Sequence, residues 1–154
     1  MNTPTLASEY LFSYEADLAP PVVLGPCPDG IRVLFQVTGG TVSGPRLNGK
    51  VMPVGADWLT VRSDGIAVVD VRAQLQSSDG GLIDLRYGGV IDFGESGYAD
   101  FAAGQVGPSV AIRVAPRVHT ADPALAWLNR LQLVGIGQGD LAARRVRYDV
   151  FAIG

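Results

Sequence analysis

A chain of 154 residues that is 47% hydrophobic and 18% charged, with a formal net charge of −3, suits one domain around one core and is too apolar to be disordered. Apart from Arg144-Arg145, its twelve Lys and Arg residues are spread singly, mostly beside acidic residues, and form no basic stripe, which argues against nucleic-acid binding. No apolar run approaches the ~20 residues that cross a bilayer, no secretory segment opens the chain, and the single Cys27 has no partner for an internal disulfide, so a cytoplasmic protein with no membrane partner is expected.

Residues 1–5 are expected to form a flexible tail. From Leu6 to Tyr14 the pattern alternates, so that Leu6, Ser8, Tyr10, Phe12 and Tyr14 share one strand face, and the rings are expected to be buried. Pro20-Pro21 ends this strand, because two prolines cannot both serve a ladder. Residues 25–30 read as a turn cluster and 31–37 as the next strand, followed by a bend or bulge at Gly39-Gly40. A weaker strand signal over 42–52 breaks at Gly44-Pro45, and 57–61 is a short strand.

The clearest hairpin joins 66–76 to 82–90 across the loop 77–81. Ala67, Val69, Val71, Ala73 and Leu75 share one face; Asp70, Arg72, Gln74 and Gln76 share the other. Pairing across that loop puts Arg72 near Arg86 and Gln74 near Asp84. Residues 91–107 read as a long loop with one short strand, of the kind that often covers a site. Alternation returns over 109–118, Asp122-Pro123 starts a short helical turn, and 127–136 with 145–153 form a last strand pair. Roughly eight to ten short strands with little helix indicate an all-β antiparallel barrel or sandwich; consecutive hairpins favour the barrel, whose closure hides sheet edges. With no internal repeat and no linker, residues 1–154 are expected to form a single domain.

Several motifs occur in fixed order: Val37-Thr38-Gly39-Gly40-Thr41, Gly44-Pro45-Arg46-Leu47, Gly55-Ala56-Asp57-Trp58, Asp64-Gly65, Asp70-Val71-Arg72 and Asp79-Gly80. Phe12-Ser13-Tyr14 and Pro20-Pro21 precede them; Asp122-Pro123 and Ala126-Trp127-Leu128-Asn129-Arg130 follow. This order resembles the DUF3237 family, also called UPF0311, over essentially the whole chain. The resemblance implies a compact calycin-like β-barrel that often associates as a homodimer. Activity in that family is largely unassigned, so the resemblance hands over no catalytic residue.

Four residues have the chemistry of a catalytic set. Asp57, at the entrance of a strand beside Trp58, is either a general acid or base against an aromatic wall or an ordinary turn carboxylate. Asp70 and Arg72 share a strand face and either bind an oxyanion inside the barrel or form a charged outer ladder with Asp84 and Arg86. His119, the one histidine, suits proton transfer near neutrality, although a lone histidine is more often an ordinary surface residue. Tyr10, Tyr14, Arg46, Trp58, Tyr87, Trp127 and Asn129 are candidates for substrate binding, against a simpler role in packing. The run from Gly135 to Gly139 lies in a strand-and-turn context and is no dinucleotide fingerprint, there is no nucleophile elbow, and no spacing suits a metal.

These residues suggest a cofactor-independent enzyme of the isomerase, cyclase, lyase or hydratase type, acting on a small, largely apolar molecule inside the barrel. Asp57 or Asp70 would be the base, Arg72 the oxyanion stabiliser and His119 the proton carrier. The alternative is a non-enzymatic carrier of small hydrophobic ligands. A shared cavity containing these groups separates the two.

Overall fold

The computed structural model describes all residues, Met1–Gly154. Ten strands carry the fold: β1 (Ser8–Leu18), β2 (Val22–Cys27), β3 (Gly30–Ser43), β4 (Gly49–Val61), β5 (Ile66–Ser77), β6 (Leu82–Asp92), β7 (Ser109–Val114), β8 (Arg117–His119), β9 (Gln132–Asp140) and β10 (Arg145–Ile153). Helix α1 (Gly97–Ala102) and a 3-10 helix (Pro123–Arg130) supply the helical content. Eight strands close an antiparallel barrel in the order β1-β10-β9-β7-β6-β5-β4-β3, with β3 returning to β1. Closure depends on β3 changing partner along its length: Ile31–Leu34 lie beside β2, and Val37–Ser43 beside β1. The all-β barrel expected from strand spacing is the architecture observed.

Alternation decides what fills it. In β5, Ala67, Val69, Val71, Ala73 and Leu75 are buried, while Asp70, Arg72 and Gln74 are exposed. The β5–β6 hairpin has the register read from the sequence, with Arg72 opposite Arg86 and Gln74 opposite Asp84. Leu75, Ile83 and Leu85 join Phe12, Leu133 and Val150 in one continuous core. Each such side chain adds roughly 1.5–3 kcal/mol by leaving water.

The two barrel ends are closed differently. Where β4 stops and β5 starts, the segment after β6 folds over the opening, with Phe93 and Phe101 6.1 Å apart between ring centroids. At the other end the 3-10 helix plugs the barrel with the fully buried Leu128. Asp122 caps that helix by accepting from the Ala124 amide at 2.9 Å, and Pro123 occupies its first position.

Several local expectations are corrected. The β1–β10 register slips between Tyr10 and Phe12, so Leu11 to Tyr14 are all buried and Tyr10 is turned to the surface. Residues 25–27 belong to β2, and the turn is confined to Pro28-Asp29. The segment after β6 contains α1 rather than a strand. Residues 127–130 lie in the 3-10 helix, so Trp127 and Asn129 share no strand face. The break expected at Gly44-Pro45 separates β3 from β4, and 57–61 is the end of β4 rather than a strand of its own. β4 bulges against both neighbours between Val51 and Gly55. Gly55 has φ +94° there, and a Cβ would stand 2.0 Å from the Arg72 carbonyl oxygen, so only glycine fits.

Candidate functional site

Glycines on β9 let large side chains from the neighbouring strands enter the barrel. The inward positions of β9 are Leu133, Gly135, Gly137 and Gly139, so beyond Leu133 this wall carries no side chains. The ring of Tyr148 from β10 lies against the space: a Cβ on Gly137 would stand 2.4 Å from its Cε1. Towards the α1 end the barrel holds a cavity of about 70 Å³ whose lining is almost wholly hydrophobic. That is about half of the ~150 Å³ apolar cavity known to bind benzene. A small solute fits as the wall stands, and a larger one has to displace Phe93 and Phe101, which line the lid side.

Asp57 is the one charged side chain on this wall. It shares the inward face of β4 with Leu59 and Val61. Burial pushes its carboxyl up to about 6, against a pull downward from the Asp70 backbone amide and a small push from the Asp70 charge. That amide donates to Oδ1 at 3.0 Å, which fixes the carboxylate and leaves Oδ2 available to a ligand.

Three phenols complete the site. Tyr14 comes from β1, Tyr87 from β6 and Tyr148 from β10, and all three are buried in the cavity wall. Tyr14 stacks on Tyr148 with centroids 5.1 Å apart at 25°. Tyr87 meets Tyr148 edge-on at 5.3 Å and 63°. Burial raises all three phenol pKa values well above 10, and the charge of Asp57 adds to the effect on each. The phenols are therefore neutral donors, while Asp57 titrates close to neutrality. The arrangement pairs one proton acceptor with three phenol side chains in an apolar pocket, groups suited to general acid–base chemistry.

The structure divides the residues singled out from the sequence. Asp57, Tyr14 and Tyr87 line the cavity together. Asp70, Arg72 and His119 are exposed on the outside of the barrel and do not join them, so the four proposed catalytic groups form no single constellation. Strand parity is the reason: Asp57 and Leu59 face inward, whereas Asp70 and Arg72 occupy the outward positions of β5. Arg72 and His119 lie instead along an outer groove with Gln74, Asp84 and Arg86. There Gln74 Nε2 donates to Asp84 Oδ1 at 2.9 Å.

The remaining binding candidates also lie elsewhere. Tyr10 is 38% exposed, its hydroxyl 2.7 Å from Ser13 Oγ. Trp58, 45% exposed, points away from the cavity. Arg46 pairs with Glu9 at 2.8 Å and lies 4.3 Å over the ring of Trp127, which packs against the core at the plugged end. Asn129 pins the loop after β8 by bonding both the amide and the carbonyl of Thr120 at 2.9 Å. Tyr148 was not singled out from the sequence. Its signal was the alternation of Val146, Tyr148, Val150 and Ala152 opposite the inward glycines of β9. Nowhere do three His, Cys, Asp or Glu side chains converge as a metal cage would require, and no helix is long and apolar enough to cross a membrane.

Comparison with known proteins extends this picture. Residues 6–153 match the family described as proteins of unknown function, DUF3237. A UPF0311 protein of Rhodopseudomonas palustris strain TIE-1 is 30% identical over 98% of this chain and 99% of its own. The crystal structure of a β-barrel-like protein from Acinetobacter baumannii is 32% identical, with a TM-score of 0.82 and 99% of each chain covered. An enzyme from Penicillium herquei has the same fold at 24% identity, with a TM-score of 0.71 over 100% of this chain and 99% of that one.

Proposed function

The chain belongs to the DUF3237 family, and from that premise we propose that it is a cofactor-independent enzyme that moves protons on a small, largely apolar molecule held in the barrel cavity. The observation that carries this reading is Asp57, a carboxylate titrating at about 6 on an otherwise uncharged, apolar wall. A base with that pKa is mostly ionised at pH 7 yet basic enough to take a proton, which is the balance general-base catalysis favours. Asp57 accepts the proton, and the phenols of Tyr14, Tyr87 and Tyr148 stabilise the charge that develops on the substrate. Isomerisation, cyclisation, elimination and hydration need no more than this. On this reading Arg72 and His119, exposed on the outside of the barrel, take no part in the chemistry. The Penicillium herquei enzyme is similar in fold, which is consistent with an active site in such a barrel.

A second reading, a carrier of hydrophobic ligands, is favoured by the lining itself, of which 19 of 21 residues are hydrophobic. The two readings part at Asp57. A carrier with Asp57→Asn retains or improves binding and never exchanged protons; an enzyme loses its reaction. The test is incubation with a panel of small carbon acids and alkenes in D2O, with deuterium incorporation followed by mass spectrometry. Incorporation by the wild-type chain that falls by about 100-fold or more in Asp57→Asn supports the enzyme. Ligand binding with no incorporation assigns the carrier. The homodimer belongs to the same proposal: edge strand β2 leaves Val22, Val23 and Leu24 exposed, and sedimentation velocity decides it.

A further inference from the structure

One buried polar atom of the chain has no partner. Tyr14 is 2% exposed, and its hydroxyl oxygen is the only buried side-chain nitrogen or oxygen that makes no hydrogen bond. Tyr87 is close enough to influence its ionisation, but the pair does not reach hydrogen-bond geometry. A hydroxyl sealed in this way costs stability, and a phenylalanine ring would stack on Tyr148 equally well. Packing therefore accounts for the ring and not for the oxygen. Tyr14 lines the cavity together with Asp57, whose Oδ2 accepts no hydrogen bond within the protein.

We infer that the ligand of this cavity is a small carbonyl compound with an apolar body and an α-hydrogen, whose oxygen accepts a hydrogen bond from the Tyr14 hydroxyl. The inference rests on the reading of Asp57 as the proton acceptor and narrows it to one substrate class. A neutral phenol can donate one hydrogen bond, and a carbonyl oxygen can accept it without a charge being brought into an apolar pocket. In the step that follows, the Asp57 carboxylate takes the α-proton. The C–H electron pair becomes the carbon–carbon double bond of an enolate, and the carbonyl π-electrons move to the oxygen. Tyr14 keeps its proton and strengthens its hydrogen bond to that oxygen as charge develops. Protonated Asp57 then returns the proton to the same or a conjugated carbon. Nothing is oxidised or reduced, and no further reactant is needed.

A pair of probes isolates the oxygen. Acetone and isobutene have nearly the same shape, are small enough for the cavity as the wall stands, and differ in =O against =CH2. Their affinities for the wild-type chain and for Tyr14→Phe are to be compared by NMR titration. The wild-type chain is expected to favour the ketone by about 5- to 10-fold, the size of one net hydrogen bond. In Tyr14→Phe the preference should vanish while the alkene binds as before. Thermal melting of that variant confirms that it folds, since only a partnerless oxygen has been removed. Equal binding of the two probes by the wild-type chain, or a ketone preference that survives in Tyr14→Phe, overturns the inference and leaves the proton-transfer reading intact. Binding of neither probe overturns the cavity as a substrate site, and this inference with it.

Discussion

Asp57 and Asp70 are joined by a single hydrogen bond, from the amide of one to the carboxylate of the other, yet they face opposite environments. Asp57 looks into an apolar cavity beside three tyrosines; Asp70 stands in solvent on the same outer face as Arg72. Both were reasonable candidates for a general base, and the strand pleat separates them. What sets the two carboxylates apart is their position in the alternation rather than the charges around them. The inner wall holds one ionisable acid with almost no competing polarity. The outer face holds many charges with little consequence: Arg72, Arg86 and Arg117 follow one another across β5, β6 and β8, while the ion pairs are made by Arg32, Arg46, Arg62, Arg145 and Arg147.

The largest difference between the two faces should appear in activity. Asp57→Asn is expected to lower any proton-transfer turnover by about 10²- to 10⁴-fold, and Asp70→Asn by much less, as assayed by deuterium incorporation. A comparable loss in both would erase the distinction between the two faces.

Next in size is a pH effect on stability. The carboxyl of Asp57 moves from 3.8 in the unfolded chain to about 6 in the folded one. Below about pH 4 both states hold the proton and nothing is lost. Between about pH 4 and 6 the unfolded chain has released its proton while the folded chain retains it, so stability falls as pH rises. Above that window the loss is constant, at roughly 2–3 kcal/mol. Denaturant unfolding of Asp57→Asn should lack this decline and exceed wild-type stability at pH 8. Parallel curves for the two proteins would show that Asp57 is solvated.

Tyr14→Phe is a smaller perturbation with an unusual sign. Removing the unpartnered hydroxyl should raise stability by about 1 kcal/mol, or a melting shift of about +2 to +4 °C for a chain of this size. A lower melting temperature would mean that the hydroxyl is satisfied within the fold. On the outer face, Arg86→Gln is expected to change stability by less than about 0.5 kcal/mol. The change should be favourable at low salt, because like charges opposite one another repel, and it should disappear in urea titrations at high salt.

Much of the fold is legible in the sequence because period-two alternation and turn chemistry are local. The β5–β6 hairpin emerged with its register and both faces, and 145–153 emerged as the final strand. The site was harder to read. Asp57-Trp58 leaves open whether the acid serves a site or closes a turn, and the fold puts Asp57 on the cavity wall but turns Trp58, 45% exposed, away from it. The usable signal was parity, since Asp57 shares a face with Leu59 and Val61. The bulge at Gly39-Gly40 was legible from its glycine pair, whereas a slip such as that between Tyr10 and Phe12 exists only relative to a partner strand. Trp127 to Arg130 was misread as strand because a short alternating run also fits one turn of helix. The partnerless oxygen of Tyr14 has no sequence signature at all, being a property of what three strands place around it.

The most direct measurement is a carbon-detected NMR titration of the Asp57 side-chain carboxyl, assigned by comparison with Asp57→Asn. A midpoint at about 6 would establish the carboxylate as a buried proton acceptor poised for work at neutral pH. A midpoint at 3.8 would place Asp57 in water and contradict the whole reading of the cavity as a site of proton transfer.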